Sequence, residues 1–262
     1  MTEKLLIRRE GDVLHLCLNR PEVRNALDEE LIGAVTAALR SEARDPLTRV
    51  VVIQGEGRVF CAGADLQYMQ RLAAADHSTN LEDARRLGEL FWALSNCPRP
   101  VIAQVHGAAI GGGIGLVAAS DFVVAAEGTK FGFTEVRLGI VPGVISPFAL
   151  RRLGPALCRR LFLTGEIFDA RQALEYGLVD HQVPEQDLEE TTASVVSKLR
   201  VGGPGAQAAA KRLLDDVDNL TVESAVALTP EHIARQRATD EAREGFAAFL
   251  EKRPANWVEP ED

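Results

Sequence analysis

Three consecutive glycines, Gly111, Gly112 and Gly113, impose the most restrictive local geometry in this chain. They follow an apolar, β-branched run (Val101, Ile102, Val105) and precede a small-residue helical stretch from Ile114 to Ser120, so the spacing predicts a strand-to-helix turn. Only glycine lets a ligand approach such a backbone closely. The first amide N–H groups of a helix lack intrahelical partners and sit at the positive end of its dipole. The turn therefore suits an anion, or a carbonyl oxygen gaining negative charge, and Glu135 downstream offers a nearby acid/base. A tight turn with close helix packing is the bland alternative.

Other glycine-rich readings fail on spacing. A dinucleotide fingerprint starting at Gly111 requires a third glycine at position 116, which is Leu116. No lysine follows the last glycine, which excludes a phosphate loop.

Composition narrows the class of protein further. The chain has 262 residues, 46% hydrophobic and 26% charged, enough to bury a substantial core. A net charge of −9 argues against nucleic-acid binding, which needs clustered Lys and Arg. No apolar stretch approaches the roughly 20 residues of a membrane span, and MTEKLLIRRE lacks a signal-peptide core. Cys17, Cys61, Cys97 and Cys158 are scattered without metal-ligand spacing, which points to a reduced, cytoplasmic setting and no metal site. Predicted strands at 5–8, 13–18, 50–54, 101–105 and 122–126 alternate with amphipathic helices, an α/β pattern. The helix after Asp28 carries a stripe of Leu31, Ile32, Val35, Ala38 and Leu39. Residues 72–82 read as a polar loop and helix edge, and composition shifts near Gly202-Gly203-Pro204, dividing the chain into 1–200 and a helical 201–262.

A second glycine-bearing stretch, RVFCAGADLQYM (58–69), follows the strand at 50–54. This stretch and the three-glycine turn, in that order, resemble the crotonase, or enoyl-CoA hydratase/isomerase, superfamily. The resemblance extends through RPEVRNAL (20–27), FGFTEVRLGIVPG (131–143), LTGEIFDARQALEYGLVD (163–180) and EAREGFAAFLEKRPAN (241–256). It implies a spiral of strand-strand-helix repeats with a C-terminal helical subdomain for trimer packing, as a homotrimer or dimer of trimers. It also implies an acyl-CoA substrate with no separate cofactor, its thioester oxygen held by the N–H groups of Ala64 and Gly112, and Glu135 transferring protons. Further substrate-binding positions on this pattern are Arg24, Ala26, Ala62, Asp65, Leu66, Gly111, Gly115, Arg137, Ser146 and Lys252, the last a candidate for a CoA phosphate along with Arg20 and Arg24.

Gly115 stands where hydratases that use two glutamates usually place the first, which leaves Glu135 as the single carboxylate. The missing side chain is expected to leave room for water or a branched acyl group. Together with the ISP sequence at 145–147, this resembles 3-methylglutaconyl-CoA hydratases. A second substrate carboxylate would need a cation or donors, and Arg137, Arg71, Ser146 and His106 are candidates by position. His106 reads first as a hydrogen-bonded structural residue. Enoyl-CoA double-bond isomerisation with one base, and non-catalytic acyl-CoA binding, remain as alternatives.

Overall fold

The computed structural model describes residues 3–258, with nine β-strands and eleven α-helices among them. In chain order these are β1 (Leu5–Glu10), β2 (Val13–Leu18), α1 (Glu29–Arg40), β3 (Val50–Gly55), α2 (Leu66–Ala73), α3 (His77–Ser95), β4 (Val101–Val105), β5 (Ala108–Ile110), α4 (Gly112–Ala119), β6 (Phe122–Ala126) and β7 (Lys130–Gly132). There follow α5 (Ser146–Leu153), α6 (Pro155–Thr164), β8 (Ile167–Asp169), α7 (Ala170–Glu175), β9 (His181–Val183), α8 (Leu188–Arg200), α9 (Pro204–Val217), α10 (Val222–Arg237) and α11 (Asp240–Glu251).

Val50, Val51, Val52 and Ile53 form an unbroken buried run, which a strand covered on both faces requires. They lie in a six-stranded sheet of order β1-β2-β3-β4-β6-β9, parallel except for the β1–β2 pair. A smaller sheet has the order β5-β7-β8. Single bridges, Leu27 to Ala64 and Cys61 to Ala109, extend it toward the start of the chain. The chain thus winds repeatedly through a strand of the long sheet, a segment of the short sheet and then a helix. β2, β3, β4 and β6 each begin such a turn, and their short-sheet segments are Ala26–Leu27, Cys61–Ala64, β5 and β7. This is the spiral α/β architecture the sequence led us to expect.

The main core fills the space between the sheets and the helices, with Leu16, Ile53, Phe60, Phe91, Ile114 and Phe131 at its centre. A second cluster, including Val13, Val52, Ile102, Val124, Val195 and Val196, lies on the other face of the long sheet under α8. The α1 stripe is buried as predicted, and Asp28 caps that helix by accepting the Leu31 N–H at 2.9 Å. Residues 72–82 differ from expectation. Most of them are helical, because Asp76 caps a new helix through the Thr79 N–H and confines the break between α2 and α3 to a few residues. Helices α9 to α11 pack largely on one another and are tied to the rest by polar links. Arg49 donates to the Gly202 and Trp257 carbonyls, and Lys211 pairs with Asp121.

Candidate active site

Local pairing sets the site. The Cys61 N–H donates to the Ala108 carbonyl at 3.0 Å, and the Ile110 N–H donates back to the Cys61 carbonyl at 3.0 Å. The CAGAD stretch therefore runs beside β5 and delivers its end to the three-glycine turn. On the other side, the Leu27 N–H donates to the Gly63 carbonyl at 2.7 Å and the Asp65 N–H donates to the Leu27 carbonyl at 2.9 Å. Ala64, between these two bonds, turns its own N–H the other way.

Each glycine in the turn has a separate reason. Gly111 has φ +52°, a region L side chains rarely adopt. At Gly113 a Cβ would lie 2.3 Å from the Cys61 carbonyl oxygen, so a side chain there would force the two loops apart. Gly112 opens α4, and its N–H is among those a helix leaves unpaired. Neither the Ala64 nor the Gly112 N–H donates to any acceptor among the described residues.

Both residues line one cavity of about 130 Å³, and Glu135 lines it too. Glu135 begins a single 3-10 turn after β7, and one carboxylate oxygen, Oε2, is buried without a hydrogen-bond partner. Burial pushes its carboxyl above the usual glutamate range, opposed only by a bond to its own backbone N–H. Such a group holds a proton more readily than an exposed glutamate does. The rest of the wall is mostly apolar, from Leu27, Ile32, Leu87, Val144 and Ile145. Two preorganised N–H donors facing a desolvated carboxylate can stabilise an oxyanion and move a proton beside it.

The enoyl-CoA hydratase/isomerase family profile matches residues 8–260. The chain belongs to the enoyl-CoA hydratase/isomerase family. The 2,3-dehydroadipyl-CoA hydratase of Escherichia coli is 36% identical over 97% of this chain and 98% of that protein. The crotonyl-CoA hydratase of Syntrophomonas wolfei is 32% identical over 98% of each. An enoyl-CoA hydratase structure from Shewanella pealeana superposes with a TM-score of 0.94 at 36% identity, covering 97% of this chain and 96% of its own. The protein is an enzyme of the enoyl-CoA hydratase type, a hydro-lyase acting on acyl-CoA.

Within this family member, the expected site residues separate into two groups. Ala64, Gly112 and Glu135 come together, and Gly111 adjoins Glu135, whose Oε1 lies 3.5 Å from the place a Gly111 Cβ would take. Arg24, with φ +58°, is exposed and holds the Ala62 N–H on its carbonyl at 2.9 Å. Ala26 is buried, Leu66 is on the surface, and Lys252 is an exposed left-handed cap of α11.

Several expectations need correction. Gly115 opens no space, because a Cβ there would lie 2.5 Å from Ile145 Cγ2 and 2.7 Å from Phe91 Cζ. The volume of the absent glutamate is filled by hydrocarbon. Asp65 is committed elsewhere: it caps α2 through the Gln67 and Tyr68 N–H groups and pairs with Arg20 at 2.9 Å. Arg20 is in turn held by Asp28 at 3.2 Å and donates to the Ala26 carbonyl at 2.5 Å, so both of its terminal nitrogens are engaged within the protein. It instead ties the Ala26–Leu27 segment to the residue after Ala64. Arg137 lies along Gly165 outside the cavity wall, and Ser146 gives its hydroxyl to the Gly143 carbonyl at 2.8 Å. Arg71 sits over the Tyr68 ring, and His106 bonds the Gly57 carbonyl at 2.9 Å, as a structural histidine would.

Sequence reasoning missed Tyr68 and Asp83, which also line the cavity and bond each other through the Tyr68 hydroxyl and Asp83 Oδ1. The signal was present. Asp83, Leu87 and Phe91 recur at helical spacing on α3, so one carboxylate interrupts an apolar stripe.

Proposed function

We propose that the protein adds water reversibly to an α,β-unsaturated acyl-CoA, with the thioester oxygen held by the Ala64 and Gly112 N–H groups and Glu135 as the single acid/base. The observation that carries this reading is the convergence of two unengaged N–H donors and an unpartnered carboxylate on one cavity. Glu135 takes a proton from water as the oxygen adds to the β-carbon, and electrons move onto the thioester oxygen to give an enolate. The enolate then takes a proton at the α-carbon from the Glu135 carboxyl, which regenerates the carboxylate. Glu135→Gln is expected to lower kcat by about 10²–10⁴-fold. A loss of only a few-fold would reject Glu135 as the acid/base.

The 3-methylglutaconyl-CoA reading requires a cation or several donors for a distal carboxylate. The cavity wall supplies Asp83 there and no Lys, Arg or His. We therefore favour acyl chains without a terminal carboxylate.

One observation supports a second reading. With Phe91 and Ile145 filling the space over Gly115, no second polar group is held there to orient water, and one base moving a proton between carbons suffices for double-bond migration. Incubation of crotonyl-CoA and a 3-enoyl-CoA in ¹⁸O-labelled water separates the two: oxygen at the β-carbon marks hydration, migration without label marks isomerisation. Exposed apolar side chains on the C-terminal helices, Val222, Val226, Phe249 and Leu250, support assembly into a trimer, with Lys252 reaching a CoA phosphate. Light scattering tests the assembly.

A further inference from the structure

Asp83 is an expensive residue to place where it is. It sits half-buried on α3 in the wall of an otherwise largely apolar cavity, and no ion pair reaches it among the described residues. Arg86, one turn further along α3, is spent on Glu82 and Glu29. The hydrogen bond to Asp83 comes from the hydroxyl of Tyr68, a buried side chain from α2. Burial pushes the Asp83 carboxyl above its ordinary range. A carboxylate that is desolvated, without an ion pair, only partly offset by the field of Arg86, and hydrogen-bonded by a buried tyrosine in the wall of a ligand cavity marks a binding determinant.

The geometry also says what Asp83 does not do. It stands eight residues before Phe91 on the same helix face, and Phe91 covers Gly115. Eight residues of helix, roughly 12 Å, separate its backbone from that of the residue covering Gly115. Asp83 is therefore no replacement for the absent glutamate.

We propose that Asp83, oriented by Tyr68, is a specificity determinant that accepts a hydrogen bond from a donor group, a hydroxyl or an ammonium, carried by the acyl chain. The proposal rests on the acyl-CoA reading of the cavity and deepens it by naming the substrate class. Asp83 offers lone pairs that the Tyr68 hydroxyl does not use, and the phenolic oxygen can accept as well. A methyl group in the same place leaves the carboxylate desolvated and unanswered. A substrate carboxylate is repelled.

Binding of saturated thioesters, which cannot react, tests this apart from turnover. The probes are ω-hydroxyacyl-CoA, ω-aminoacyl-CoA and ω-carboxyacyl-CoA of matched length, four to six carbons, each compared with the methyl-terminated acyl-CoA of the same number of heavy atoms. Calorimetry on the full chain is expected to show the hydroxyl or the amino compound binding about tenfold or more tighter than the methyl one, since a bond to a charged acceptor is a strong one. In Asp83→Leu that ratio should fall to one or below, and in Asp83→Asn the preference for the amino compound should be lost. The ratio cancels any loss common to both ligands, and a circular dichroism melt confirms folding. Equal binding of hydroxyl, amino and methyl compounds by the wild type, or a ratio unchanged in Asp83→Leu, overturns the proposal. Failure of every acyl-CoA to bind overturns the acyl-CoA reading itself, and the proposal with it.

Discussion

Replacing Gly115 with alanine gives a test in which the sign of the result decides. Helix propensity alone says that alanine inside α4 should stabilise the protein by about 0.8–1 kcal/mol relative to glycine. Crowding says the reverse. The new methyl would lie 2.5 Å from Ile145 Cγ2 and 2.7 and 2.9 Å from two atoms of the Phe91 ring. Those neighbours are 2% and 0% exposed, so neither can swing into solvent, and the branched Ile145 has few alternative rotamers. Overpacking of this kind costs about 1–3 kcal/mol, and two immobile neighbours place it at the upper end. The net loss is about 2 kcal/mol, which for a chain of this size lowers Tm by about 4–8 °C. Thermal melts at one fixed protein concentration measure it, since assembly would otherwise shift Tm. A double-mutant cycle with Phe91→Leu isolates the clash: the coupling should exceed about 0.5 kcal/mol, because the smaller side chain vacates the space. A rise in Tm for Gly115→Ala would refute the sealed wall and restore the open pocket that the sequence suggested.

Because burial raises the Glu135 carboxyl and the proposed reaction begins with its ionised form, the acidic limb of kcat/KM should lie above the ordinary glutamate range and vanish in Glu135→Gln. Arg20→Met leaves Asp28 and Asp65 facing each other without their shared cation, so stability should fall by about 3 kcal/mol in urea titration, with kcat falling as Ala64 loses its tether and partly recovering in Arg20→Lys. Burial works to raise the Asp28 carboxyl, but Lys4, the Leu31 N–H and Arg20 outweigh it and hold it below the usual range. Its stabilisation is present above the unfolded carboxylate pKa of about 4 and is lost as pH falls through the lower folded value. That acid-side loss should be smaller in Arg20→Met, and an equal loss would show that Arg20 does not hold Asp28. All four cysteines are buried, with the Cys17 and Cys61 thiols pushed up to about 12, so iodoacetamide should leave the native protein unlabelled and modify all four thiols in denaturant.

The legible parts of the sequence were those in which a residue type answers a backbone demand. The glycines at 111–113 announced their turn because no other residue permits a positive φ followed by so close an approach to Cys61. The buried strand at 50–53 and the α1 stripe announced themselves through periodicity. What stayed hidden was side-chain occupancy across distant segments. Position 115 reads as a vacancy along the chain, yet residues 24 positions before and 30 after it close the gap in space. Arg20 likewise reads as a candidate for a CoA phosphate, and only the fold brings Asp28 and Asp65 to it. Asp83 was readable as a break in a stripe, but not the tyrosine from another helix that aims it.

A small apolar cavity tolerates relocation of charge far better than its creation, which suits the proposed use of Glu135 as the single acid/base. Before the proposed addition step an ionised Glu135 faces a neutral thioester, with the Asp83 carboxyl also on the cavity wall and unchanged by the step. After water has lost its proton to Glu135, the carboxyl is neutral and the negative charge rests on the oxygen between Ala64 and Gly112. The sum is unchanged. The step moves one charge from a group that burial disfavours to two N–H donors already facing the site, with no reorganisation of solvent. A second ionised carboxylate beside the enolate would raise the energy of that transfer by like-charge repulsion. Phe91 and Ile145 over Gly115 keep such a charge away from position 115, so on this proposal the hydrocarbon there contributes to the chemistry as well as to packing. On this reasoning a variant that admits a carboxylate, Gly115→Glu with Phe91→Ala, should raise the acidic limb of kcat/KM further, because the two carboxyls would then compete for one proton. An acidic limb that stays in place while the variant remains folded would show that the new carboxylate does not share the cavity with Glu135.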